Sequence, residues 1–189
     1  MTLEQSITAL QPLLGDALVV HANGYISRRS FTAEDRPGNF YMIGSMGLAS
    51  SIALGVALSR PDRRVVVYDG DGNLLMNLGG AAMIAATAPP NLVHLVFDNG
   101  AYASTGNQPA ISRAVALERI AEAAGYRRSV RARTPEELAA AFRECLETEG
   151  PTFILAELEL ETGKFTAGRV THTPEEIRDR FSAAIQGAA

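Results

Sequence analysis

The 189-residue chain has a single cysteine, Cys145, so no disulfide can close within it. One unpaired thiol agrees with a reducing cytoplasm, and packing or idle exposure suits it better than catalysis, because no basic partner lies nearby in the sequence. No apolar run is long enough and free enough of glycine and polar residues to cross a bilayer, so no membrane partner is expected. Residues 1–16 have neither the basic start nor the long apolar core of a secretion signal. Concentrated positive charge is lacking too: the formal net charge is −4. The one dense basic run, Arg127 to Arg133, falls where an edge strand is expected, which reads as a solvated face and not as a nucleic-acid site. No Walker sequence and no G-x-G-x-x-G follows the first strand. The remaining partners are small anions or another protein chain.

What the chain does hold is 47% hydrophobic residues, enough for a substantial core in one domain over 1–189. Leu3, Ile7, Leu10 and Leu14 recur at helical spacing and predict an opening helix over 2–14. A strand over 17–22, a helix from Tyr25 to about Phe31 and a short apolar stretch, Phe40 to Ile43, follow. Gly44-Ser45-Met46-Gly47 then turns into a helix, Leu48 to Ser59, whose many alanines, serines and glycine permit close packing. Val65–Tyr68 predicts a buried strand, Leu74–Ala86 an amphipathic helix stopped by Pro89-Pro90, and Leu92–Phe97 another buried strand. Residues 100–112 read as a loop, Ala114–Ala124 as a helix and Tyr126–Val130 as a strand. Thr134-Pro135-Glu136-Glu137 and Thr173-Pro174-Glu175-Glu176 each mark a capped helix start, with a last strand, Thr152–Leu158, between the two helices. This alternation is that of an α/β fold, a doubly wound parallel sheet with helices on both faces.

Two strand ends draw attention. Val65–Tyr68 runs into Asp69-Gly70-Asp71-Gly72, where glycines let the backbone approach a ligand closely and a following helix offers free N–H groups to a phosphate. A carboxylate beside a phosphate is repulsive unless a cation separates them, so Asp71 points to a divalent metal. Twenty-eight positions on, the next strand ends in Asp98-Asn99-Gly100. In a parallel sheet both ends open on one edge, where Asp71 and Asn99 are able to offer two oxygens to one ion. Magnesium suits that sparse oxygen set. Each turn alone is equally well explained as ordinary turn chemistry; the pair carries the reading.

Gly70-Asp71-Gly72 followed at this spacing by Asn99 resembles the diphosphate and metal motif of thiamine-diphosphate enzymes. The run Asn39 to Leu58, with Gly44-Ser45-Met46-Gly47 at its turn, and Ser104-Thr105-Gly106-Asn107-Gln108-Pro109 sharpen the likeness. They resemble the β subunits of sulfopyruvate decarboxylases and, nearly as well, the carboxyl-terminal halves of phosphonopyruvate decarboxylases, over about residues 17–160. The resemblance implies thiamine diphosphate and Mg2+ as cofactors. It puts Asp71, Asn99 and the main-chain carbonyl of Ala101 on the metal and the N–H groups of Gly72 and Asn73 on phosphate oxygens. Gly70 and Tyr102 join the same site, and Gly44, Ser45 and Met46 lie against the aminopyrimidine, with Met46 supporting its bent shape. Asp98 stands where relatives often carry a second asparagine and Asn107 where they often carry glycine, so Asp98 receives no ligand role.

The glutamate that activates the cofactor in this family belongs to a separate domain that nothing in the chain matches. The resemblance therefore implies an α subunit carrying the pyrimidine-binding domain, a hetero-oligomer with its active site between chains, and no catalytic residue in this chain. The implied reaction is decarboxylation of a small anionic 2-oxo acid, first of all sulfopyruvate to sulfoacetaldehyde as in coenzyme M synthesis. Phosphonopyruvate or a pyruvate-type acid are the alternatives. A non-enzymatic α/β phosphate-binding module is the reading from a different class. Arg28 and Arg29 are a close cationic pair at the first strand-end loop and would suit an anionic substrate, although long charged side chains normally cover surface. His21 reads as a hydrogen-bonded structural histidine.

Overall fold

The computed structural model describes residues 1–163 and 165–187. Six strands form one parallel sheet in the order β2 (Asn39–Tyr41), β1 (Leu18–His21), β3 (Val65–Gly70), β4 (Leu92–Asp98), β8 (Thr152–Glu157) and β7 (Arg128–Ala132). A separate antiparallel pair, β5 (Ala101–Tyr102) and β6 (Gln108–Pro109), follows directly on the end of β4. The helices are α1 (Leu3–Leu10), α2 (Tyr25–Ala33), α3 (Ala49–Ser59), α4 (Asp71–Met76), α5 (Leu78–Thr87), α6 (Leu117–Ala124), α7 (Pro135–Glu147) and α8 (Pro174–Gln186).

Alternation along the strands builds two cores. Val65 and Val67 of β3 face one side, with α3, α5, α6 and α8, whereas Val66 and Tyr68 face the other, with α1 and α7. The central strands are mostly apolar because both faces are covered, as a doubly wound sheet requires, with Asp69, His94 and Asp98 the buried polar exceptions in β3 and β4. Thr134 and Thr173 cap α7 and α8 as the sequence predicts, each accepting from the N–H three residues on, with proline in the first turn.

Several boundaries differ from expectation, each for a local reason. The opening helix ends at Leu10 and tightens into a 3-10 turn over Gln11–Leu13, where Pro12 removes a donor. β3 continues through Asp69 and Gly70, in register with Val96 and Phe97 of β4, beyond the predicted end at Tyr68. The helix expected over Leu74–Ala86 is two helices, beginning already at Asp71 and broken at Asn77. There Asn77 closes α4 and caps α5 by accepting from Gly80 N–H. The stretch 100–112 is more than loop: it holds the β5–β6 pair and 3-10 turns at Ala103–Thr105 and Ile111–Arg113. The helix predicted from Ala114 starts at Leu117, and the strand expected over Tyr126–Val130 lies two residues later, at Arg128–Ala132. That strand is an edge, and the arginines in and just before it are ion-paired: Arg127 with Glu149, Arg128 with Glu144, and Arg131 with Glu118 and Glu157. No helix among the described residues is long and apolar enough to cross a membrane.

Candidate active site

β3 and β4 are neighbours at the centre of the sheet and end side by side, so Asp71 and Asn99 come to the same rim. Between them opens a cleft of about 570 Å³, within the usual size for a cofactor or small ligand. Its walls include Met46, Asp71, Asn99, Tyr102, Arg29 and Phe165. Gly70, Gly72, Asn73 and Ala101 border it as well; Gly44 and Ser45 do not, lying exposed on the turn that carries Met46. Gly72 lets the Tyr102 ring lie directly on the backbone, because a Cβ there would stand 2.4 Å from Cε1 of Tyr102 and the ring would have to shift. Ser45 adopts a left-handed φ of 54°, and the next residue, Met46, borders the cleft.

Asp71 is buried, with 4% of its surface exposed. Its Oδ2 accepts from Gly100 N–H at 3.1 Å and from Ser112 Oγ at 2.8 Å. Asp98, given no role from sequence, lies beside it: its Oδ1 accepts from the same Gly100 N–H at 3.0 Å and meets the same Ser112 hydroxyl at 2.8 Å. Burial first, and the neighbouring Asp98 second, push the Asp71 carboxyl up to about 6 against the pull of Ser112 and the Gly72 N–H. Asn99 Oδ1 accepts from Ala101 N–H at 3.0 Å, a local turn that leaves the oxygen a second lone pair. Ser112 is the residue sequence reasoning missed; it sits in a 3-10 turn inside a stretch read as loop.

Asn73 contributes its side chain to structure. Its Oδ1 accepts from Gly47 N–H at 2.6 Å and its amide nitrogen donates to Asp69 Oδ1, so both ends of the side-chain amide are engaged in holding the turns. His21 is fully buried against Ser30 Oγ at 2.7 Å and Phe40 C=O at 3.2 Å, as a structural histidine should be. Arg28 donates to the carbonyls of Ala167 and Gly168 and is therefore tied to the segment after β8. Arg29 lines the cleft, pairs with Glu4 at 3.2 Å and lies 4.9 Å over the Phe165 ring. Cys145 is buried in α7, where burial raises its thiol.

The fold is that of the domains found in thiamine diphosphate-dependent enzymes. It superposes with a TM-score of 0.74 on the thiamine diphosphate-dependent 4-hydroxybenzoylformate decarboxylase of Rhodococcus jostii RHA1, at 21% identity over 86% of this chain and 33% of that one. On benzoylformate decarboxylase from Polynucleobacter necessarius the TM-score is 0.69 at 18% identity, with the same coverage of 86% and 33%. Residues 22–156 match the family described as "Thiamine pyrophosphate enzyme, C-terminal TPP binding domain", and the chain belongs to that family. It is 46% identical over 184 residues to phosphonopyruvate decarboxylase of Streptomyces viridochromogenes, covering 95% of this chain and 46% of that protein. It is 40% identical over 184 residues to the sulfopyruvate decarboxylase subunit beta of Methanothermobacter thermautotrophicus, covering 97% of this chain and 95% of the subunit. The chain thus spans about half the length of the Streptomyces protein and nearly all of the methanogen subunit.

Proposed function

We propose that this chain is the β subunit of a cytoplasmic, thiamine-diphosphate- and Mg2+-dependent 2-oxo acid decarboxylase that converts sulfopyruvate to sulfoacetaldehyde and CO2. Its active site is shared with an α subunit bearing the pyrimidine-binding domain. The observation that carries the reading is the pairing of Asp71 and Asn99 on adjacent strand ends over a glycine-lined cleft, in a chain that covers 95% of a β subunit with 97% of its own length.

The donor set fits the metal. Asp71 is an acid buried beside a second acid, a position that favours a cation, and Asn99 adds an oxygen without adding charge. Among the described residues no group of three or more His, Cys, Asp or Glu is arranged to hold an ion. Magnesium needs none, since it completes its shell with phosphate oxygens and water. Asp71, Asn99 and the carbonyl of Ala101 would hold the ion, and the N–H groups of Gly72 and Asn73 would meet the diphosphate. Gly70 and Tyr102 close the wall, and the Gly44-Ser45-Met46 turn would support the aminopyrimidine.

Bound there, the cofactor supplies an electron sink for the bond that breaks as CO2 leaves. The chain's own contribution is to orient it, neutralise its diphosphate and shield it from water. Ile43, Leu48 and Met76 stand 64%, 45% and 60% exposed around the Gly47 turn, an apolar rim that supports docking of the α subunit. The 46% identity to the Streptomyces enzyme favours a second reading, with phosphonopyruvate as the acid.

Purifying the chain together with its native partner and assaying sulfopyruvate, phosphonopyruvate and pyruvate tests this. Preferred turnover of sulfopyruvate supports the reading. Preferred turnover of phosphonopyruvate replaces the substrate, and no binding of thiamine diphosphate with Mg2+ by the assembled protein overturns the reading altogether.

A further inference from the structure

We propose that Tyr126, His94 and Asp69 are positioning residues. Together they form a buried hydrogen-bonded chain that sets the Gly44–Gly47 turn against the Gly70–Gly72 turn through the side-chain amide of Asn73. Its consequence for a cofactor rests on the function proposed above; the coupling of the two turns does not.

Asp69, near the end of β3, and His94, inside β4, have no exposed surface and lie on neighbouring strands whose other residues are mostly apolar. A polar pair in such a place is costly unless its atoms are satisfied, and apolar side chains would hold the sheet as well. Here the partners run in one direction. Tyr126 OH lies 2.9 Å from His94 Nδ1, and His94 Nε2 lies 2.9 Å from Asp69 Oδ2. Asp69 Oδ1 accepts from its neighbour Gly70 N–H at 2.8 Å and from the Asn73 amide. With its nitrogen so engaged, Asn73 must turn Oδ1 the other way, where it accepts from Gly47 N–H at 2.6 Å.

Gly47 is held on its other side too, since Asn77 Nδ2 donates to its carbonyl at 3.0 Å. It sits at a φ of +97°, and a Cβ there would stand 3.3 Å from Cβ of both Met76 and Asn77, so the turn lies directly on α4. One end of the chain of bonds thus fixes the backbone at Gly70, where a diphosphate would lie. The other fixes the backbone next to Met46, which borders the same cleft. The acceptor oxygen of Asp69 requires the hydrogen of His94 on Nε2, so Asp69 selects the tautomer, and the Tyr126 hydroxyl completes the chain by donating to Nδ1.

Nitrogen-15 NMR of the full chain tests this without any ligand. A hydrogen on His94 Nε2 with Nδ1 accepting from Tyr126 is expected, and a hydrogen on Nδ1 overturns the proposal. Amide exchange is the second reading: His94→Leu should speed exchange at Gly47 and Gly70 about tenfold, the worth of roughly one hydrogen bond. His94→Gln, whose amide can still donate to Asp69, should restore slow exchange. In an Asn73→Ala background His94→Leu should add nothing further at Gly47, because the connection is already cut. Unchanged exchange at Gly47 in folded His94→Leu overturns the proposal. If that variant does not fold, Tyr126→Phe replaces it under the same criterion. Calorimetry with thiamine diphosphate and Mg2+ on the partnered protein separates the two readings. Wild-type binding that His94→Leu leaves unaltered removes the role toward the cofactor, whereas no wild-type binding removes the proposed function and leaves the coupling of the turns to the exchange result.

Discussion

Asp71 and Asp98 converge on one hydroxyl: Ser112 Oγ lies 2.8 Å from Asp71 Oδ2 and 2.8 Å from Asp98 Oδ1. A serine has one hydrogen to donate, so it can serve only one carboxylate at a time. The other contact is favourable only when its carboxyl carries a proton, in keeping with the upward shift of Asp71. A divalent ion would take over that neutralising role.

Asp71→Asn should therefore abolish Mg2+-dependent binding of thiamine diphosphate by the partnered protein. Ser112→Ala, which only orients the acid, should weaken it by roughly 10–100-fold. Titration calorimetry at fixed Mg2+ checks both, and equal losses in the two variants would contradict the assigned roles.

Gly72→Ala should drive the Tyr102 ring off the cleft wall, because the new Cβ would stand 2.4 Å from Cε1. A destabilisation of about 1–3 kcal/mol is expected in urea unfolding. Tyr102 is only half-buried, so Tyr102→Ala should remove most of that cost in the double variant. Additive losses would show that the strain lies elsewhere.

His21 makes the fold sensitive to acid. Burial lowers its imidazole to about 3 from an ordinary value of 6.5, so below 6.5 the unfolded chain takes up a proton that the native state refuses. Stability should be full above that pH and fall as pH drops, by up to about 1.4 kcal/mol per pH unit. Unfolding midpoints between pH 7 and 4.5 read this slope, and His21→Gln, although less stable at neutral pH, should lose that part of it.

Cys145 should resist thiol reagents in the native state. It is fully buried and its thiol is raised by burial, both of which suppress the reactive thiolate. Labelling should follow the urea unfolding curve, and rapid labelling of folded protein would contradict the packing of α7.

Much of this architecture was legible in the sequence because its signals are local. Gly70-Asp71-Gly72 and Asp98-Asn99-Gly100 announce strand ends by turn chemistry alone, and Thr134 and Thr173 announce their helices. The break at Asn77 was hidden by the apolar spacing of residues 74–86, although Asn77 three residues before Gly80 is itself a capping pattern. Ser112 and Asp98 escaped for another reason: their partnership with Asp71 depends on residues 100–112 folding back over the rim, and no periodicity encodes a return of that kind. His94, one histidine in an apolar strand, gave no hint of Asp69 and Tyr126, which reach it only once the sheet has formed.

The border strand β7 has a consequence for assembly. Its arginines, each engaged by a glutamate, make the open side of the sheet a poor template for a further strand, which discourages fibre-like polymerisation there. At the opposite border β2 is only three residues long and lies against α8. Both limits of the ribbon thus discourage its growth, which favours helices and loops as the surfaces through which this chain meets a companion.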